Sequence, residues 1–300
     1  MGGMSPQVVA HRGASHDLAE HTLGAYAAAL DAGADGLECD VRLTADGHLV
    51  CVHDRDLRRT ASTPRLVSTS ELADLHDLDF AAWKKPWADL DEEAPVRDER
   101  MGKLLTLQGL MELAADYERP VELAIETKHP TRYAGLVERR LVEQLRRFGW
   151  HGAGTPVRVM SSSWKALQRV ERLAPAIPLV QLIEHAHHWP VLSRIVGADW
   201  IIGPSIRELD DHRRLGPRIA AAGHQMHVWT VNNEAALDLA LQLGASAVIT
   251  DRPGWARDRL DRLAEGGEAR PGGGSRDRPG DERGDQRVDP RGGRREDAAG

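Results

Sequence analysis

Short runs of β-branched and other apolar residues alternate along the chain with segments whose apolar residues recur at helical spacing. The first four strand candidates are residues 7–10, 36–43, 49–54 and 121–127. Five more follow at residues 157–162, 178–184, 200–203, 226–231 and 246–250. Helical patterns separate most of them, for example residues 22–32, 105–117 and 233–243. This alternation predicts an α/β protein whose parallel strands are joined by helical crossovers.

The nine strand candidates exceed by one the eight parallel strands of a TIM (β/α)8 barrel. Asp46-Gly47 lies between two of them and is a typical hairpin signal, so one arm of this hairpin is expected to be an extra antiparallel strand. A doubly wound open sheet is the alternative. We favour the barrel because charged and polar residues recur at the C-terminal ends of many strands, where barrel active sites are built.

Two segments interrupt this pattern. Residues 55–104 show only short helical pieces and carry Phe80, Trp83 and Trp87 among many charges, which favours a small insertion over the mouth of the barrel. Residues 266–300 are nearly devoid of large apolar side chains and cannot bury enough surface to offset their ordering entropy. We therefore expect one domain over residues 1–265, followed by a disordered low-complexity tail.

Composition and charge narrow the function classes. The formal net charge of -7 argues against general nucleic-acid binding. No apolar run approaches the roughly 20 residues that span a bilayer, and no secretory signal is recognised at the N-terminus. Cys39 and Cys51 are expected to point to opposite strand faces, which predicts free thiols and a cytoplasmic protein. The oligomeric state is left open.

Acidic side chains occupy two of the strand candidates. Glu38 and Asp40 are two residues apart, so a strand places both carboxylates on one face, where they repel unless a cation or proton lies between them. Glu126 is a third acid in an otherwise apolar strand, where a charge is usually paired or ligated. Such oxygen ligands suit Mg²⁺ or Ca²⁺. A solvated strand face is the alternative for an isolated pair, and Glu126 counts against it.

His11 and His53 close strand candidates near these acids. Histidine titrates near neutrality, so a pair can take and give a proton in one catalytic cycle. Arg12 can form a forked contact with a phosphate, and Lys128 adds a second cation. A single histidine at a strand end is more often structural. Two of them, each beside charged residues, favour a catalytic role.

The remaining candidates carry weaker signals. His185, His187 and His188 follow a strand, but their spacing matches no strong zinc pattern. Trp229 ends a strand and is either a core residue or an apolar wall for a small alcohol. Asp251 follows the last strand and is either a helix N-cap or a ligand.

Taken together, these motifs resemble the glycerophosphodiester phosphodiesterase family. The matching segments are HRG at 11–13, GLECDV at 36–41, VHDRDLRRT at 52–60, ETK at 126–128, VWTVN at 228–232 and TDRP at 250–253. They extend over about residues 7–265, in the family's order. The resemblance implies a TIM barrel with a small insertion after the second catalytic histidine. It also implies hydrolysis of small-molecule glycerophosphodiesters to sn-glycerol 3-phosphate and an alcohol.

The resemblance further implies a role for each matching residue. It makes His11 and His53 the general acid and base, without saying which is which. One divalent cation, Mg²⁺ or Ca²⁺ with Mn²⁺ as a further option, would be held by Glu38, Asp40 and Glu126. The phosphate contacts would come from Arg12 and Lys128, and Trp229 would line the glycerol side. In related enzymes a glycerol hydroxyl is thought to attack phosphorus, giving a cyclic phosphate that water opens.

One position departs from the family pattern. Glu20-His21-Thr22 stands where Glu-Asn-Thr is usual, and an imidazole cannot reproduce the hydrogen bonds of an amide. Two other functions stay open. The first is a lysolipid phosphodiesterase of phospholipase D-like or cyclising lyase type that uses the same residues. The second is a non-catalytic barrel that binds phosphodiesters or partners, and the intact set of histidines and acids counts against it.

Overall fold

The structure is a computed structural model that describes residues 5–84 and 99–268. Its strands are β1 Gln7–His11, β2 Gly36–Leu43, β3 Leu49–Cys51, β4 Asp56–Leu57, β5 Thr63–Leu66, β6 Glu122–Thr127, β7 Val157–Ser161, β8 Leu179–Ile183, β9 Ile201–Pro204, β10 His227–Val228 and β11 Ala247–Thr250. Its α-helices are α1 Leu23–Asp31, α2 Arg58–Ala61, α3 Leu72–His76, α4 Leu107–Asp116, α5 Leu136–Arg147, α6 Trp164–Leu173, α7 Trp189–Leu192, α8 Ile206–Asp211, α9 Leu215–Ala221, α10 Glu234–Gln242 and α11 Pro253–Glu268.

Eight parallel strands form a barrel in the order β10-β11-β1-β2-β6-β7-β8-β9. Parallel bridges from Ile202 to Met226 and from Ser205 to Trp229 join β9 to β10 and close the ring. β3 pairs antiparallel with β2 outside this order, so the hairpin supplies the extra strand as predicted. The predicted TIM barrel is confirmed, and the alternative of an open sheet is wrong.

Several of the helices begin or end at capping residues. Thr22 precedes α1 and accepts the backbone N–H of Ala25, and Gly33 follows the helix with a φ of 83°. Asn233 caps α10 in the same way. Two apolar clusters join strands to the surrounding helices, and a smaller one that includes Met160 and Leu182 fills the barrel. Within the described ranges, no helix is long and apolar enough to cross a membrane.

A polar network centred on Arg158 closes the N-terminal end of the barrel. The buried guanidinium donates to Gln7 Oε1 at 2.8 Å and to the carboxylate of Glu122, and it lies 3.2 Å from His227 Nε2. Burial, together with the charge of Arg158, lowers the pKa of His227 to about 3. The ring is therefore neutral at pH 7. This end of the barrel is filled by structural contacts, and the opposite end remains for ligands.

The segment after His53 packs on a small apolar cluster that it shares with Val50 and Val52. β4 and β5 pair as a two-stranded sheet, and Leu57, Val67, Leu75 and Phe80 belong to one apolar cluster. Residues 85–98, which include Trp87, lie outside the described residues, as does the tail from residue 269. The predicted insertion at about 55–104 and the disordered tail at 266–300 therefore stay predictions.

The two cysteines are free and buried, as predicted. Their expected placement on opposite faces is wrong, because Cys39 and Cys51 belong to the same apolar cluster. Cys51 pairs with Val41 across the β2–β3 ladder, so it shares the face on which Cys39 lies. The strand ends at Cys51, and the alternation therefore cannot be extended to His53.

Candidate active site

The C-terminal ends of the barrel strands surround a cavity of about 230 Å³. Seven of the predicted site residues line it: His11, Arg12, Glu38, His53, Glu126, Lys128 and Trp229. Asp40, the eighth, is completely buried and contacts Lys128 and Arg12. The structure thus brings together all eight residues that the sequence singled out. It adds apolar lining from Met160, Leu182 and Ile249, and a further carboxylate from Glu184.

Three buried carboxylates form the floor of the site. Glu38, Asp40 and Glu126 each offer a ligand atom, and these atoms lie within 4.8 Å of one another. The parallel register of β2 and β6, which sets Asp40 beside Glu126, explains this proximity. Burial and the charge of Asp40 raise the pKa of Glu38 well above its usual range and that of Glu126 to about 8. The cluster therefore requires protons or a cation at neutral pH.

Arg12 and Lys128 bring positive charge to these carboxylates. Arg12 has a φ of 59°; its backbone N–H donates to Glu38 Oε2 at 3.1 Å, and its Nε lies 3.0 Å from Asp40 Oδ2. Lys128 Nζ lies 2.9 Å from Glu126 Oε1 and 3.0 Å from Asp40 Oδ1. Burial alone would raise the pKa of Asp40. The nearby cations outweigh it, Lys128 most of all, and hold that pKa well below its usual range.

His11 is held by a carboxylate that the sequence did not identify as its partner. Its Nδ1 lies 2.6 Å from Asp251 Oδ1, which also accepts the hydroxyl of Ser15 at 2.9 Å. Asn232 Nδ2 donates to the other oxygen of Asp251 at 2.6 Å. Although burial opposes it, these donors lower the pKa of Asp251 to about 2. A charged Asp251 fixes the His11 proton on Nδ1 and leaves Nε2 available for proton exchange.

His53 is likewise oriented by a carboxylate, that of the neighbouring Asp54. Its Nδ1 lies 2.8 Å from Asp54 Oδ1, and its carbonyl accepts Arg42 Nε at 2.9 Å and Nη2 at 2.7 Å. Burial lowers the pKa of His53, which favours the neutral ring at pH 7. Both catalytic candidates therefore have Nδ1 bound to a carboxylate.

Glu20 joins the segment after His53 to the barrel, a role that the sequence did not show. It accepts Arg59 Nη1 at 2.6 Å and Nη2 at 2.7 Å, and Arg12 Nη1 at 3.1 Å. Arg59 Nε also donates to Asp54 at 2.7 Å. Although burial opposes it, these arginines lower the pKa of Glu20 to about 2. A chain of charges thus extends from Asp54 to Arg12.

His21, which replaces the usual asparagine, bridges two parts of the site. Its Nε2 lies 2.9 Å from Asp40 Oδ2, and its Nδ1 lies 2.8 Å from the hydroxyl of Tyr26. That hydroxyl donates to the backbone carbonyl of Glu38 at 3.1 Å. The ring therefore supports the position of both acids on β2, and its larger size lets it reach Tyr26 while it contacts Asp40.

Of the candidates with weaker sequence signals, Trp229 lies at the cavity and the three clustered histidines do not. Trp229 forms part of the cavity wall, and its Nε1 donates to the carbonyl of Gly203 at 2.7 Å. The exposed rings of His185, His187 and His188 lie 4.2 to 5.7 Å apart, centroid to centroid. Among the described residues, only the three buried carboxylates form a group close enough to hold a metal ion.

Comparisons with known proteins agree with this geometry. The sequence model of the glycerophosphoryl diester phosphodiesterase family matches residues 11–255. A Mycobacterium tuberculosis protein, described as a probable glycerophosphodiester phosphodiesterase, is 41% identical over 88% of this chain and 96% of its own length. A Bacillus subtilis glycerophosphodiester phosphodiesterase is 32% identical over 82% of this chain and 83% of its own length.

Solved structures show the same similarity. An Oleispira antarctica phosphodiesterase, solved in complex with the product sn-glycerol-3-phosphate, superposes with a TM-score of 0.72 and 26% identity. The match covers 85% of this chain and 97% of that one. The sequence match, the barrel and the residues that line its mouth point the same way. This chain belongs to the glycerophosphoryl diester phosphodiesterase family of enzymes.

Proposed function

We propose that the chain hydrolyses glycerophosphodiesters to sn-glycerol 3-phosphate and an alcohol, with His11 and His53 as the acid–base pair. The main support is that both histidines line one cavity, beside three carboxylates that could hold one divalent cation. The Oleispira antarctica relative, described with sn-glycerol-3-phosphate as its product, supports the same product for this chain.

The carboxylate cluster fits a hard divalent cation. Asp40 Oδ1 is buried and has no partner with hydrogen-bond geometry among the described residues, although the ammonium of Lys128 is close. When all three carboxylates are ionised, they carry three negative charges, and Arg12 and Lys128 offset two of them. A divalent ion would turn this into one excess positive charge, which matches a phosphodiester monoanion. The all-oxygen donor set suits Mg²⁺ or Ca²⁺, and also Mn²⁺.

A cation bound there would offset the negative charge that develops on the phosphoryl oxygens. The side chains around it have separate tasks. Arg12 and Lys128 contact the phosphate, and Trp229 packs against the glycerol. One histidine takes the proton of the attacking hydroxyl through Nε2, and the other protonates the departing alkoxide. A hydroxyl on the same glycerol is already close to phosphorus, which lowers the entropic part of the barrier. Its attack releases the alcohol and leaves a cyclic phosphate, which water then opens to sn-glycerol 3-phosphate while the two histidines exchange roles.

Release of glycerol 3-phosphate from glycerophosphocholine, with Mg²⁺, Ca²⁺ or Mn²⁺, tests this proposal. We expect His11→Ala and His53→Ala each to lower kcat by about 10²–10⁴-fold while the fold survives, because each loses one proton transfer. His151→Ala is the matched control, since His151 is exposed in the connection that precedes β7. Near-wild-type turnover in either site variant would refute the acid–base assignment.

Phosphorus NMR of the product separates hydrolysis from the alternative enzyme types, a cyclising lyase or a phospholipase D-like enzyme, that would use the same residues. A cyclic phosphate that persists would favour the lyase type, whereas glycerol 3-phosphate alone supports hydrolysis. Assays with lysolipid substrates distinguish the phospholipase D-like type. A cytoplasmic location stays a prediction from the sequence, and the proposed substrates imply a role in lipid or glycerol metabolism.

A further inference from the structure

A second pocket adjoins the cavity of the candidate active site. Four cationic side chains line it: Arg42, Arg55, Lys128 and Arg132. No acidic side chain of the described chain does so, although the protein as a whole carries a net charge of -7. Lys128 lines both spaces, so the two pockets are neighbours that meet at this side chain. We call this second space the basic pocket.

Two of these charges have no ion-pair partner in the part of the chain that the structure describes. Arg55 and Arg132 are exposed, and neither forms an ion pair with another residue of the described ranges. The two acids that flank Arg55 in sequence, Asp54 and Asp56, are already paired with other arginines. The positive charges of Arg55 and Arg132 are therefore available to a ligand, whereas the charge of Lys128 is shared between two carboxylates.

Arg42 connects the basic pocket to the candidate catalytic residues. Its Nε and Nη2 both donate to the backbone carbonyl of His53, at 2.9 Å and 2.7 Å. The guanidinium is thereby fixed between His53 and the basic pocket. Residues 66–68 of the segment after His53 form one wall of this pocket, and residues 130–132 of the β6–α5 connection form the other. A group bound there lies beside a proton-transferring residue.

The order of strands indicates which part of a substrate would reach the basic pocket. β6 stands four places from β10 in either direction around the eight-stranded ring, so the two strands face each other. Trp229 follows β10, and Lys128 follows β6. With glycerol against Trp229 and the phosphate between them, the second alcohol of the diester extends toward Lys128 and the basic pocket.

We propose that the basic pocket binds an anionic group, a phosphate or a carboxylate, carried by the leaving alcohol of the substrate. The protein then prefers glycerophosphodiesters with an acidic head group over those with a neutral one. This inference rests on the proposed function and narrows its substrate class. Guanidinium groups suit such ligands because they pair with oxyanions through two parallel hydrogen bonds.

The test compares kcat/KM for glycerophosphoinositol 4-phosphate and glycerophosphoinositol, which differ only in one phosphate. At low salt, we expect the wild type to favour the phosphorylated compound by about tenfold or more, and the double variant R55Q/R132Q to lose most of this preference. Raising the ionic strength to about 0.15 M should weaken the preference, because it shortens the Debye length to about 8 Å. Arg218→Gln, on the exposed face of α9, is the matched control and should leave the ratio unchanged.

A wild-type ratio near one, or a ratio that R55Q/R132Q leaves unchanged, would overturn the inference while the proposed hydrolysis stands. Inorganic phosphate, added as a competitor, distinguishes a pocket for free anions. If it inhibits both substrates equally and the ratio is near one, the head-group assignment is wrong. Calorimetric titration of both compounds into the His11→Ala protein, with and without R55Q/R132Q, measures the same preference without turnover. It therefore decides the inference even if the proposed hydrolysis fails.

Discussion

Replacement of Asp251 by asparagine tests whether His11 depends on a charged partner. Asp251 accepts from three donors: His11 Nδ1 at 2.6 Å, Ser15 Oγ at 2.9 Å and Asn232 Nδ2 at 2.6 Å. An amide has only one oxygen, so its NH₂ group must face at least one of these donors. If it faces His11, the ring proton moves from Nδ1 to Nε2, the atom that exchanges protons with the substrate in the proposed mechanism.

The expected loss of unfolding free energy follows from the pKa of Asp251, which lies at about 2 against a usual 3.8. At about 1.4 kcal/mol per pKa unit, the donors favour the charged form by about 2 kcal/mol. The side chain is 30% exposed, so solvent screens part of this, and we expect the variant to lose about 1–2 kcal/mol of unfolding free energy at pH 7. This difference should vanish as the pH falls through 3.8 toward 2, because protonation then removes the same charge from the wild type. For kcat, the wrong tautomer should cost about 10²–10⁴-fold.

The assay for Asp251→Asn follows glycerophosphocholine turnover from pH 5 to 9, beside urea unfolding of the same protein. Ser15→Ala is the matched control, because it removes one donor and leaves the carboxylate on His11; it should lose less than about tenfold in kcat. A purely structural role for Asp251 would change stability without altering the pH profile. If Asp251→Asn keeps kcat within about threefold of the wild type, with the same pH profile, the reasoning is refuted.

Three further predictions concern the metal ligands, the backbone and pH. Millimolar Mg²⁺ or Ca²⁺ should raise the Tm of the EDTA-treated wild type but not of Glu126→Gln, which lacks one carboxylate of the cluster. Gly13→Ala should lower the unfolding free energy by about 2–4 kcal/mol in urea titrations, since Gly13 has a φ of 88° and a Cβ there would lie 2.6 Å from the carbonyl carbon of Ala25. His227, with its pKa lowered to about 3, is neutral in both the folded and the unfolded chain above pH 6.5. As the pH falls from 6.5 toward 3, only the unfolded chain takes up a proton on this ring, which progressively destabilises the fold. His227→Gln should therefore show a shallower loss of stability over pH 7–4, by up to about 1.4 kcal/mol per pH unit.

Each of these variants has a matched control in the chain. Glu112→Gln removes an exposed acid from α4 and should keep the stabilisation by metal ions. Gly149→Ala has a φ of 74° but open space around its Cβ, so a loss as large as that of Gly13→Ala would contradict the proposed clash. His151→Gln removes an exposed histidine. An unchanged pH slope in His227→Gln, or metal stabilisation that survives Glu126→Gln, would show the assigned cause to be wrong.

The barrel could be predicted because its strands are marked by local pattern. Apolar runs that alternate with helical periodicity gave all eight barrel strands, and Asp46-Gly47 gave the antiparallel ninth. Short elements did not carry such a signal. β4 and β5 hold two and four residues, and most residues of β5 are exposed, so no apolar repeat marks their pairing in the sequence. The prediction that the two cysteines lie on opposite faces failed because the register of the hairpin was needed to orient Cys51.

The site was predictable where a single strand fixes the arrangement. Period two placed Glu38 and Asp40 on one face, and the common polarity of parallel strands brought Glu126 and His11 to the same end of the barrel. His53 follows the antiparallel strand β3, so its place at the site depends on the pairing of the hairpin. The partner of His11 could not be found in this way. Thr250 lies beside Ala10 only because the last strand pairs with the first, so the contact of Asp251 depends on closure of the ring.

The segment after His53 connects the basic pocket with the candidate catalytic residues. Through Arg59 it binds Glu20, which in turn contacts Arg12 beside Asp40. Residues 66–68 of the same segment form a wall of the basic pocket, yet the motifs that resemble the family lie outside those residues. A change there can therefore alter the choice of head group while the carboxylates and histidines stay in place. Because Arg59 and residues 66–68 belong to one small folded unit, a mutation that loosens its core should weaken both head-group preference and the support of Arg12, whereas R55Q/R132Q should affect the preference alone.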